Sequence, residues 1–292
     1  MKLAVYDDYR IGVVESDSVR DVTDVLPPGL DLVPQERMNW LIAHWGELRG
    51  PVGDCDGPRS ALSEVRLRAC SPSPRHIFAL PGNYREHLGE IGAMTVSGKR
   101  TANEMGFFLK APGSLAGPGD EITLPQGSRR RFDHECELAA VIGSDAFEVP
   151  AKEAESVVFG YTCAVDATMR IDPDGRQEDR SLRKSFATFT PIGPYLVTAD
   201  EVGDPHDLTS RLSVNGELRQ SVHTGQMIVD VWNAIEIISC VVALRPGDIV
   251  LTGTPSGVGP VTAGDKLEIA IERIGSMTLQ VVERAHVSPR IF

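Results

Sequence analysis

The stretch from Phe132 to Gly143 constrains the fold more than any other part of this chain. It reads F-D-H-E-C-E-L-A-A-V-I-G, so Glu135 and Glu137 stand directly before the apolar run 138–142. Successive side chains of a β-strand alternate between its two faces, which puts both carboxylates on one face. The apolar run then takes the strand into the core. We therefore expect two parallel carboxylates at the mouth of a buried strand.

Such a pair of carboxylates has two interpretations. Ionised groups that lose solvent together resist desolvation, and each raises the pKa of the other. A solvated strand end avoids this cost, and most charge clusters do lie at the surface. A bound hard cation would offset the same cost. The stretch alone leaves both interpretations open.

Size and charge exclude some classes of function. The chain has 292 residues, so we expect either one large domain or one medium and one small domain. Its formal net charge of -12 argues against binding to nucleic acid or to an anionic membrane, because both need a basic surface. An anionic small substrate stays possible, since a metal and a few local cations can reverse the local field.

The cysteines and the hydropathy pattern predict a location. The five cysteines are scattered without a C-x-x-C spacing, which is typical of reduced thiols and argues against a zinc ribbon. No apolar run approaches the roughly 18 residues of a membrane helix, and the N-terminus lacks a signal-peptide core. We therefore expect a cytoplasmic protein.

Proline, glycine and periodicity divide the chain into two parts. Pro/Gly-rich segments at 50–58 and 71–74 predict a boundary, with a small N-terminal domain at 1–71 and the main domain at 72–292. Many short strands with few helices favour a β-rich α+β fold over a βαβ repeat. Three helices are predicted, at 34–48, at 150–159 and at 225–242, and a hairpin turn is predicted at Asn215-Gly216.

Further candidate site residues lie outside the opening stretch. His87 and Glu90 are three residues apart, so on a helical turn Glu90 could orient the imidazole and raise its basicity. This spacing is also that of an ordinary surface pair. The segment 91–104, rich in Gly, Ser and Thr, suits a mobile lid. Asp166 ends an apolar strand and is a third acid at the edge of the core.

Several motifs together resemble the fumarylacetoacetate hydrolase family. They occur in the family's order over about residues 72–284, which makes the set far more specific than any single motif. The resemblance implies a mixed β-sandwich roll catalytic domain, a small N-terminal α/β domain and a homodimer. The motifs are N-Y-R-E-H-L-G-E at 83–90, F-L-K-A-P-G-S-L at 108–115, H-E-C-E-L-A-A-V-I-G at 134–143, G-Y-T-C-A-V-D at 160–166, K-S-F at 184–186, P-I-G-P at 191–194 and P-G-D-I-V-L-T-G-T-P-S-G-V-G at 246–259.

The resemblance also implies roles for individual residues. Three carboxylates would bind one Mg²⁺ or Mn²⁺ ion, and all-oxygen ligation suits these hard cations. A dyad would activate water, a lysine would stabilise an oxyanion, and four further residues would contact a 2-oxo acid substrate. The metal ligands are Glu135, Glu137 and Asp166; the catalytic residues are His87, Glu90 and Lys184; the substrate-binding residues are Thr254, Gly253, Arg170 and Tyr84.

The implied activity is hydrolysis of a C–C bond in an acylpyruvate such as fumarylpyruvate or maleylpyruvate, in the breakdown of aromatic compounds. His87 would deprotonate water for attack on the distal carbonyl, and a pyruvate enolate would leave. Alternatives on the same scaffold are decarboxylation of oxaloacetate and isomerisation of 2-hydroxyhepta-2,4-diene-1,7-dioate; a non-catalytic interaction protein is a third. The chain has Ala187 where the family usually carries Asp in K-x-F-D, which removes an expected partner of Lys184.

Overall fold

The computed structural model describes residues 1–91, 100–171 and 179–285, which form three β-sheets and short helices around them. The strands are β1 (Lys2–Tyr6), β2 (Arg10–Glu15), β3 (Ser18–Asp21), β4 (Arg59–Ala61), β5 (Ile77–Ala79), β6 (Phe108–Lys110), β7 (Leu115–Ala116), β8 (Ile122–Pro125), β9 (Phe132–His134), β10 (Cys136–Ile142), β11 (Val158–Val165), β12 (Thr168–Met169), β13 (Thr190–Thr198), β14 (Thr209–Val214), β15 (Glu217–His223), β16 (Ile249–Leu251), β17 (Gly259–Pro260), β18 (Lys266–Ile271) and β19 (Gly275–Arg284).

The helices of the described residues are short and lie between these strands. The α-helices are α1 (Arg37–Ala43), α2 (Trp45–Asp54), α3 (Arg85–Ile91), α4 (Ala102–Met105), α5 (Ala151–Ala154), α6 (Arg180–Lys184), α7 (Ala199–Val202) and α8 (Val231–Ser239). The 3₁₀-helices are Thr23–Val25, Pro28–Leu32, Pro34–Glu36, Leu62–Glu64, Pro112–Ser114, Glu155–Val157 and Thr224–Gln226. No helix in these described ranges has the length and apolar character to cross a membrane.

The largest sheet runs through both predicted parts of the chain. Its order is β4-β3-β2-β1-β13-β11-β10-β16-β5-β6, and β7 also pairs with β13. The first strand joins this sheet antiparallel to β13, with Leu3 opposite Leu196. The other sheets have the orders β12-β9-β17 and β15-β14-β18-β19-β8. The N-terminal strands therefore extend the main sheet, and the division at residue 72 stays a prediction.

Strand β10 is buried on both faces, which explains its uninterrupted apolar sequence. Leu138 and Ala140 belong to the core that includes residues of the five-stranded sheet, such as Leu267 and Ile269. Ala139, on the alternate face, belongs to the core built with the N-terminal strands and helices. The strand therefore lies at the centre of the molecule, and its N-terminal end carries the predicted acids.

The predicted fold class is confirmed: the chain is β-rich α+β with mixed sheets. Parallel pairs such as β16–β5 and β19–β8 occur among mostly antiparallel ones. The hairpin turn is also confirmed, because Asn215 and Gly216 join β14 to β15 with φ of 53° and 81°. Both angles are left-handed, as a two-residue hairpin turn requires.

The predicted helix at 34–48 is wrong in its bounds. A 3₁₀ turn starts it, His44 interrupts it, and a second helix continues to Asp54 through Pro51. The Nδ1 atom of His44 lies 2.9 Å from the carbonyl oxygen of Trp40, which it shares with the helix backbone. Val52 is fully buried and draws the later turn into the core, where a proline- and glycine-rich loop was expected.

The other two predicted helices are shorter than expected. Asn83 binds the backbone N–H and C=O of Val229 at 2.7 and 2.8 Å, which keeps that segment out of a helix. Asp230 then caps α8 by accepting from the N–H of Asn233 at 2.8 Å. The helix at 150–159 ends early because the buried strand β11 begins at Val158. Residues 92–99 of the predicted lid lie outside the described residues.

Candidate active site

Three buried carboxylates meet at the N-terminal end of β10. The antiparallel register pairs Cys136 with Val165 and Glu137 with Ala164, which brings Asp166 opposite Glu135. The N–H of Asp166 donates to the carbonyl oxygen of Glu135 at 2.9 Å. Glu135, Glu137 and Asp166 each offer a carboxylate oxygen within 4.8 Å of the others. The solvated-strand-end interpretation is therefore wrong, because these groups are at most 4% exposed.

The face of the strand agrees with the expected alternation. The Sγ of Cys136 points into the core that contains Leu138 and Ala140, where it lies 3.0 Å from the Oγ of Ser210. The strand itself is interrupted at Glu135, between β9 and β10. The cysteine is therefore directed away from the three carboxylates, as its position in the period-two pattern predicts.

Two lysines approach the carboxylates from other elements. The Nζ of Lys184, at the end of α6, donates to the Oε2 of Glu135 at 2.7 Å and to the Oδ2 of Asp166. The Nζ of Lys110, at the end of β6, donates to the Oδ1 of Asp166 and to the carbonyl oxygen of Phe189 at 3.0 Å. Burial lowers the pKa of Lys110, and the charge of Asp166 opposes this shift. Lys184 thus has carboxylate partners although Ala187 offers none.

Arg170 joins the site through a second pair of acids. Its Nε donates to the Oδ2 of Asp133 at 2.6 Å, and its Nη2 donates to the Oε1 of Glu135 at 2.7 Å. Asp133 is fully buried and also accepts from Arg131 at 2.6 Å. Burial acts to raise the pKa of Glu135, but Lys184 and Arg170 outweigh it and hold that pKa well below its usual range.

Glu137 is the carboxylate whose surroundings call for a cation. Its Oε2 accepts from the N–H of Gly253 at 2.6 Å, and the ion pairs found among the described residues include none to Glu137. Burial and the neighbouring charge of Asp166 raise its pKa well above the ordinary value. A divalent cation bound by all three acids would stabilise the ionised form. The donor set, three carboxylates, fits a hard cation such as Mg²⁺ or Mn²⁺.

His87 of the predicted His–Glu pair lines the same pocket as the carboxylates. His87 is on α3, and its Nδ1 lies 3.5 Å from the Oε2 of Glu90. Both carboxylate oxygens of Glu90 accept from the N–H of Gly257 at 3.1 Å, so the glycine-rich loop holds this acid in place. Burial lowers the pKa of His87, while Glu135 acts to raise it. The two residues of the predicted dyad are thus neighbours in the structure, and their catalytic role stays a prediction.

The pocket in front of the carboxylates collects most of the predicted residues. Thr254 lines it, and the hydroxyl oxygen of Thr254 accepts from the Nε2 of Gln220 at 2.8 Å. Gln220 is 1% exposed; its Oε1 accepts from the N–H of Cys136 at 3.0 Å. The full lining is Leu80, Pro81, Gly82, His87, Phe108, Glu135, Glu137, Asp166, Arg170, Arg180, Lys184 and Thr254.

Two of the predicted substrate-binding residues do not line this pocket. Tyr84 is buried and lines a neighbouring pocket with Arg85 and Pro255. Burial and the charge of Glu137 raise the pKa of its phenol. Gly253 directs its N–H at Glu137. Substrate contacts by Tyr84 and Gly253 stay predictions.

Sequence reasoning missed four residues of the site. Asp133 and Lys110 stand inside stretches of the sequence that were given a meaning but were themselves assigned no role, and Gln220 and Arg180 stand in none of the motifs. Lys110 ends the F-L-K motif, so its place in the resemblance was the available signal. The other three carry no local pattern that separates them from surface residues.

The comparisons with known proteins agree with this geometry. The model of the family "Fumarylacetoacetate (FAA) hydrolase C-terminal" matches residues 76–282. Maleylpyruvate hydrolase of Aquipseudomonas alcaligenes is 40% identical over 291 residues, which cover 96% of this chain and 99% of that protein. Oxaloacetate tautomerase of Bacillus subtilis is 37% identical over 248 residues, covering 82% of this chain and 80% of that protein.

A solved structure is similar to this chain in its fold. Maleylpyruvate hydrolase from Sphingobium sp. SYK-6, in complex with manganese(II) ion and pyruvate, matches with a TM-score of 0.84 and 37% identity. The match covers 97% of this chain and 99% of that chain. From the match to the family model and these near-full-length similarities, the chain belongs to the fumarylacetoacetate hydrolase family.

Proposed function

We propose that this protein is a divalent-cation-dependent hydrolase that cleaves a C–C bond of an acylpyruvate, such as maleylpyruvate or fumarylpyruvate, to pyruvate and a carboxylic acid. The observation that carries the proposal is that His87, braced by Glu90, lines the same pocket as the three buried carboxylates. Similarity to two maleylpyruvate hydrolases supports the choice of substrate.

Glu135, Glu137 and Asp166 would hold one Mg²⁺ or Mn²⁺ ion. When bound there, the ion supplies Lewis-acid polarisation of the carboxylate and 2-oxo group of the substrate. Manganese(II) in the similar Sphingobium structure supports this choice of metal.

The dyad would provide the base. Gly257 fixes Glu90, and Glu90 faces the Nδ1 of His87, which leaves the Nε2 as the atom that accepts a proton. His87 takes a proton from water, and the resulting hydroxide attacks the distal carbonyl of the substrate. The ammonium of Lys184 stabilises the negative charge on that carbonyl oxygen.

The C–C bond then breaks because the departing carbon is stabilised as an enolate by its 2-oxo neighbour. The acyl group leaves as a carboxylic acid, and the proton held by His87 returns to the enolate carbon to give pyruvate. Thr254 would donate its hydroxyl hydrogen to the substrate carboxylate. Its oxygen already accepts from Gln220, so the hydrogen is directed elsewhere.

A second candidate is tautomerisation or decarboxylation of a 2-oxo diacid such as oxaloacetate. The similarity to an oxaloacetate tautomerase favours it as the alternative. Hydrolysis of an acylpyruvate and either of these reactions pass through an enolate of the 2-oxo acid. Water attacks the substrate only in the hydrolysis. The dyad is the feature that favours hydrolysis.

The experiment that tests the proposal compares substrates on His87→Gln and on the control His44→Gln, whose ring stacks on Trp40 outside the pocket. The wild type and the control should release pyruvate from maleylpyruvate or fumarylpyruvate. His87→Gln should be slower by roughly 10²–10⁴-fold, the usual contribution of a general base. If the acylpyruvates stay intact while oxaloacetate is converted equally well by His87→Gln, the hydrolase proposal fails and the alternative stands.

The proposal includes a homodimer in the cytoplasm. The five cysteines are all free thiols, as expected in a reducing compartment. Large apolar side chains such as Phe147 and Val241 are 57% and 67% exposed, which suits burial against a second copy. Light scattering coupled to size-exclusion chromatography would measure the mass: twice that of the chain is expected, and the mass of one chain would exclude the dimer.

A further inference from the structure

Helix α6 carries two cations on one face. Arg180 and Lys184 are four residues apart, which makes them neighbours on a helix surface, with Cβ atoms about 5–6 Å apart. Both line the active-site pocket. The Cζ of Arg180 and the Nζ of Lys184 lie 5.1 and 5.3 Å from the centre of the Phe108 ring. One short helix thus presents two positive charges to one pocket wall.

The two cations project from different turns of the helix. Lys184 donates to Glu135 and Asp166, so it lies at the end where the metal and the reacting carbonyl are placed. Arg180 lies one turn towards the N-terminus, a displacement of about 6 Å along the helix axis. The ring of Phe108 lies beside both cations, and Leu80 and Pro81 are further apolar residues that line the pocket.

An acyl group that ends in a carboxylate matches this arrangement. In a four-carbon acyl group such as fumaryl, three C–C bonds separate the reacting carbonyl carbon from the terminal carboxyl carbon, about 4 Å in the trans geometry, and the cis double bond of a maleyl group makes this distance shorter. The two carbons between them are apolar. With the carbonyl at Lys184, the terminal carboxylate comes within reach of a long arginine side chain one helical turn away.

We propose that Arg180 is the specificity-determining residue for the acyl group, which it selects by binding a terminal carboxylate. The inference rests on the proposed function and adds to it the residue that recognises the far end of the acyl group, which in maleylpyruvate and fumarylpyruvate is a carboxylate. The planar guanidinium binds a carboxylate through two parallel hydrogen bonds, which a lysine cannot reproduce.

The surroundings of Arg180 explain why an uncharged acyl group is disfavoured. The side chain is half-buried, and burial lowers the pKa of its guanidinium. A carboxylate at the end of the acyl group can accept two hydrogen bonds from the guanidinium, whereas a methyl group in the same place can accept none. Discrimination therefore comes from a contact that only the carboxylate can make.

The test measures kcat/KM on two substrates of equal carbon skeleton, fumarylpyruvate and crotonylpyruvate, in which a methyl group replaces the terminal carboxylate. The variants are Arg180→Gln, Arg180→Lys and the control Arg66→Gln, an exposed arginine paired with Asp120. Arg180→Gln should lose roughly 10- to 100-fold on fumarylpyruvate, the range for a charged hydrogen bond, and less than about threefold on crotonylpyruvate. Arg180→Lys should recover part of the loss, and Arg66→Gln should match the wild type.

Equal losses on both substrates, or no loss on either, would overturn the assignment of Arg180. Calorimetric binding of the acid products to the Mn²⁺-loaded protein separates this inference from the function itself. Arg180→Gln should weaken binding of fumarate about tenfold or more and leave crotonate binding unchanged. If no acylpyruvate is cleaved, the proposed function fails. If Arg180→Gln leaves the affinity for fumarate unchanged, the inference about Arg180 alone fails.

Discussion

At the scale of single residues, the hydrogen bonds that the site can offer to a substrate depend on which groups donate and which accept within the site. The Nε2 of Gln220 is a donor only, so the hydroxyl oxygen of Thr254 must accept from it at 2.8 Å. The hydrogen of that hydroxyl is then available to an acceptor in the pocket. Gln220 does not line the pocket of the three carboxylates, whereas Thr254 does, so we expect Gln220 to act through Thr254 as a positioning residue.

Gln220→Glu should reverse this hydrogen bond. The new carboxylate keeps an acceptor for the N–H of Cys136 but cannot donate, so the Thr254 hydroxyl turns towards it and away from the substrate. We expect KM for maleylpyruvate to rise about tenfold, as for the loss of one hydrogen bond to a charged group, with a smaller change in kcat.

A double-mutant cycle provides the control for that variant. In a Thr254→Val background, where the hydroxyl is gone, Gln220→Glu should change KM much less than it does alone. A rise of KM that is equally large in both backgrounds would mean that Gln220 does not act through Thr254.

The residues that could be predicted from the sequence are those marked by local spacing or by a motif. Glu135 and Glu137 followed from the two-residue period of a strand. Local spacing does not reveal the role of Lys110, although it stands in the F-L-K motif, or that of Gln220, because their partners Asp166 and Cys136 lie 56 and 84 positions away in the chain. Their roles depend on which strands meet, which a local pattern does not contain.

At the scale of elements, the short helix α6 carries two of the cations that line the pocket, Arg180 and Lys184. A helix of five residues has little stability of its own and depends on its cap. The side chain of Asp179 accepts from the N–H groups of Ser181 and Leu182 at 2.7 and 3.2 Å. The cap therefore fixes the start of the helix from which Arg180 and Lys184 project.

Asp179→Ala should loosen α6 with little effect on the rest of the molecule. Loss of such a cap costs about 1 kcal/mol of helix stability, so the amides of α6 should exchange hydrogen faster and kcat/KM for maleylpyruvate should fall severalfold. Hydrogen exchange followed by mass spectrometry measures the first effect. Asp179→Ser, which preserves a capping oxygen, is the matched control; equal kcat/KM for the two variants would contradict a positioning role of the cap.

The N-terminal strands have an equivalent anchor in Asp21. Its carboxylate accepts from the hydroxyl of Tyr6, from the Nε of Arg10 and, at 2.8 Å, from the N–H of Thr23. Burial acts to raise the pKa of Asp21, but the bonds from Arg10 and Tyr6 outweigh it and lower that pKa. The folded state therefore binds a proton at Asp21 less readily than the unfolded chain does.

Asp21→Asn should lower the free energy of unfolding by about 2 kcal/mol near pH 7, since it leaves buried donors without a full acceptor. A lowered folded-state pKa gives stability that is present above the unfolded value of about 4 and is lost as the pH falls through the folded value. The difference in the free energy of unfolding between wild type and Asp21→Asn, measured by urea unfolding, should therefore become smaller as the pH drops from 7 towards 3. A difference in the free energy of unfolding that becomes larger at low pH would contradict this prediction.

Element types were more predictable than element ends. The Asn215-Gly216 turn followed from the chemistry of left-handed backbone angles, which belongs to the two residues themselves. The end of a helix depends on tertiary partners: Asn83 lies 146 residues before Val229 and determines how far the segment at 225–242 can be helical. The same reason explains the helix that continues through Pro51.

At the scale of the whole molecule, the N-terminal part and the catalytic part share one sheet and one core. Leu3 and Met38 of the first part belong to the same core cluster as Ala139 and Ile249 of the second. Removal of residues 1–71 would uncover the edge of β13 and the apolar face of β10. Exposed strand edges and apolar faces promote association between chains.

A chain that starts at residue 72 should therefore aggregate or unfold at lower temperature than the full protein. Size-exclusion chromatography and a thermal melt would show this. A monodisperse fragment that melts at the temperature of the full chain would instead establish residues 72–292 as an independent domain.

In the proposed function, C–C cleavage depends on a metal ion bound by the three carboxylates. The direct measurement is to strip the protein with EDTA, add Mn²⁺, and follow bound metal and pyruvate release from maleylpyruvate in wild type, Glu137→Gln and the control His44→Gln. We predict that wild type and control bind one ion per chain and regain cleavage, while Glu137→Gln, which lacks one of the three acids, loses both. Cleavage that persists in EDTA and in Glu137→Gln would contradict the account.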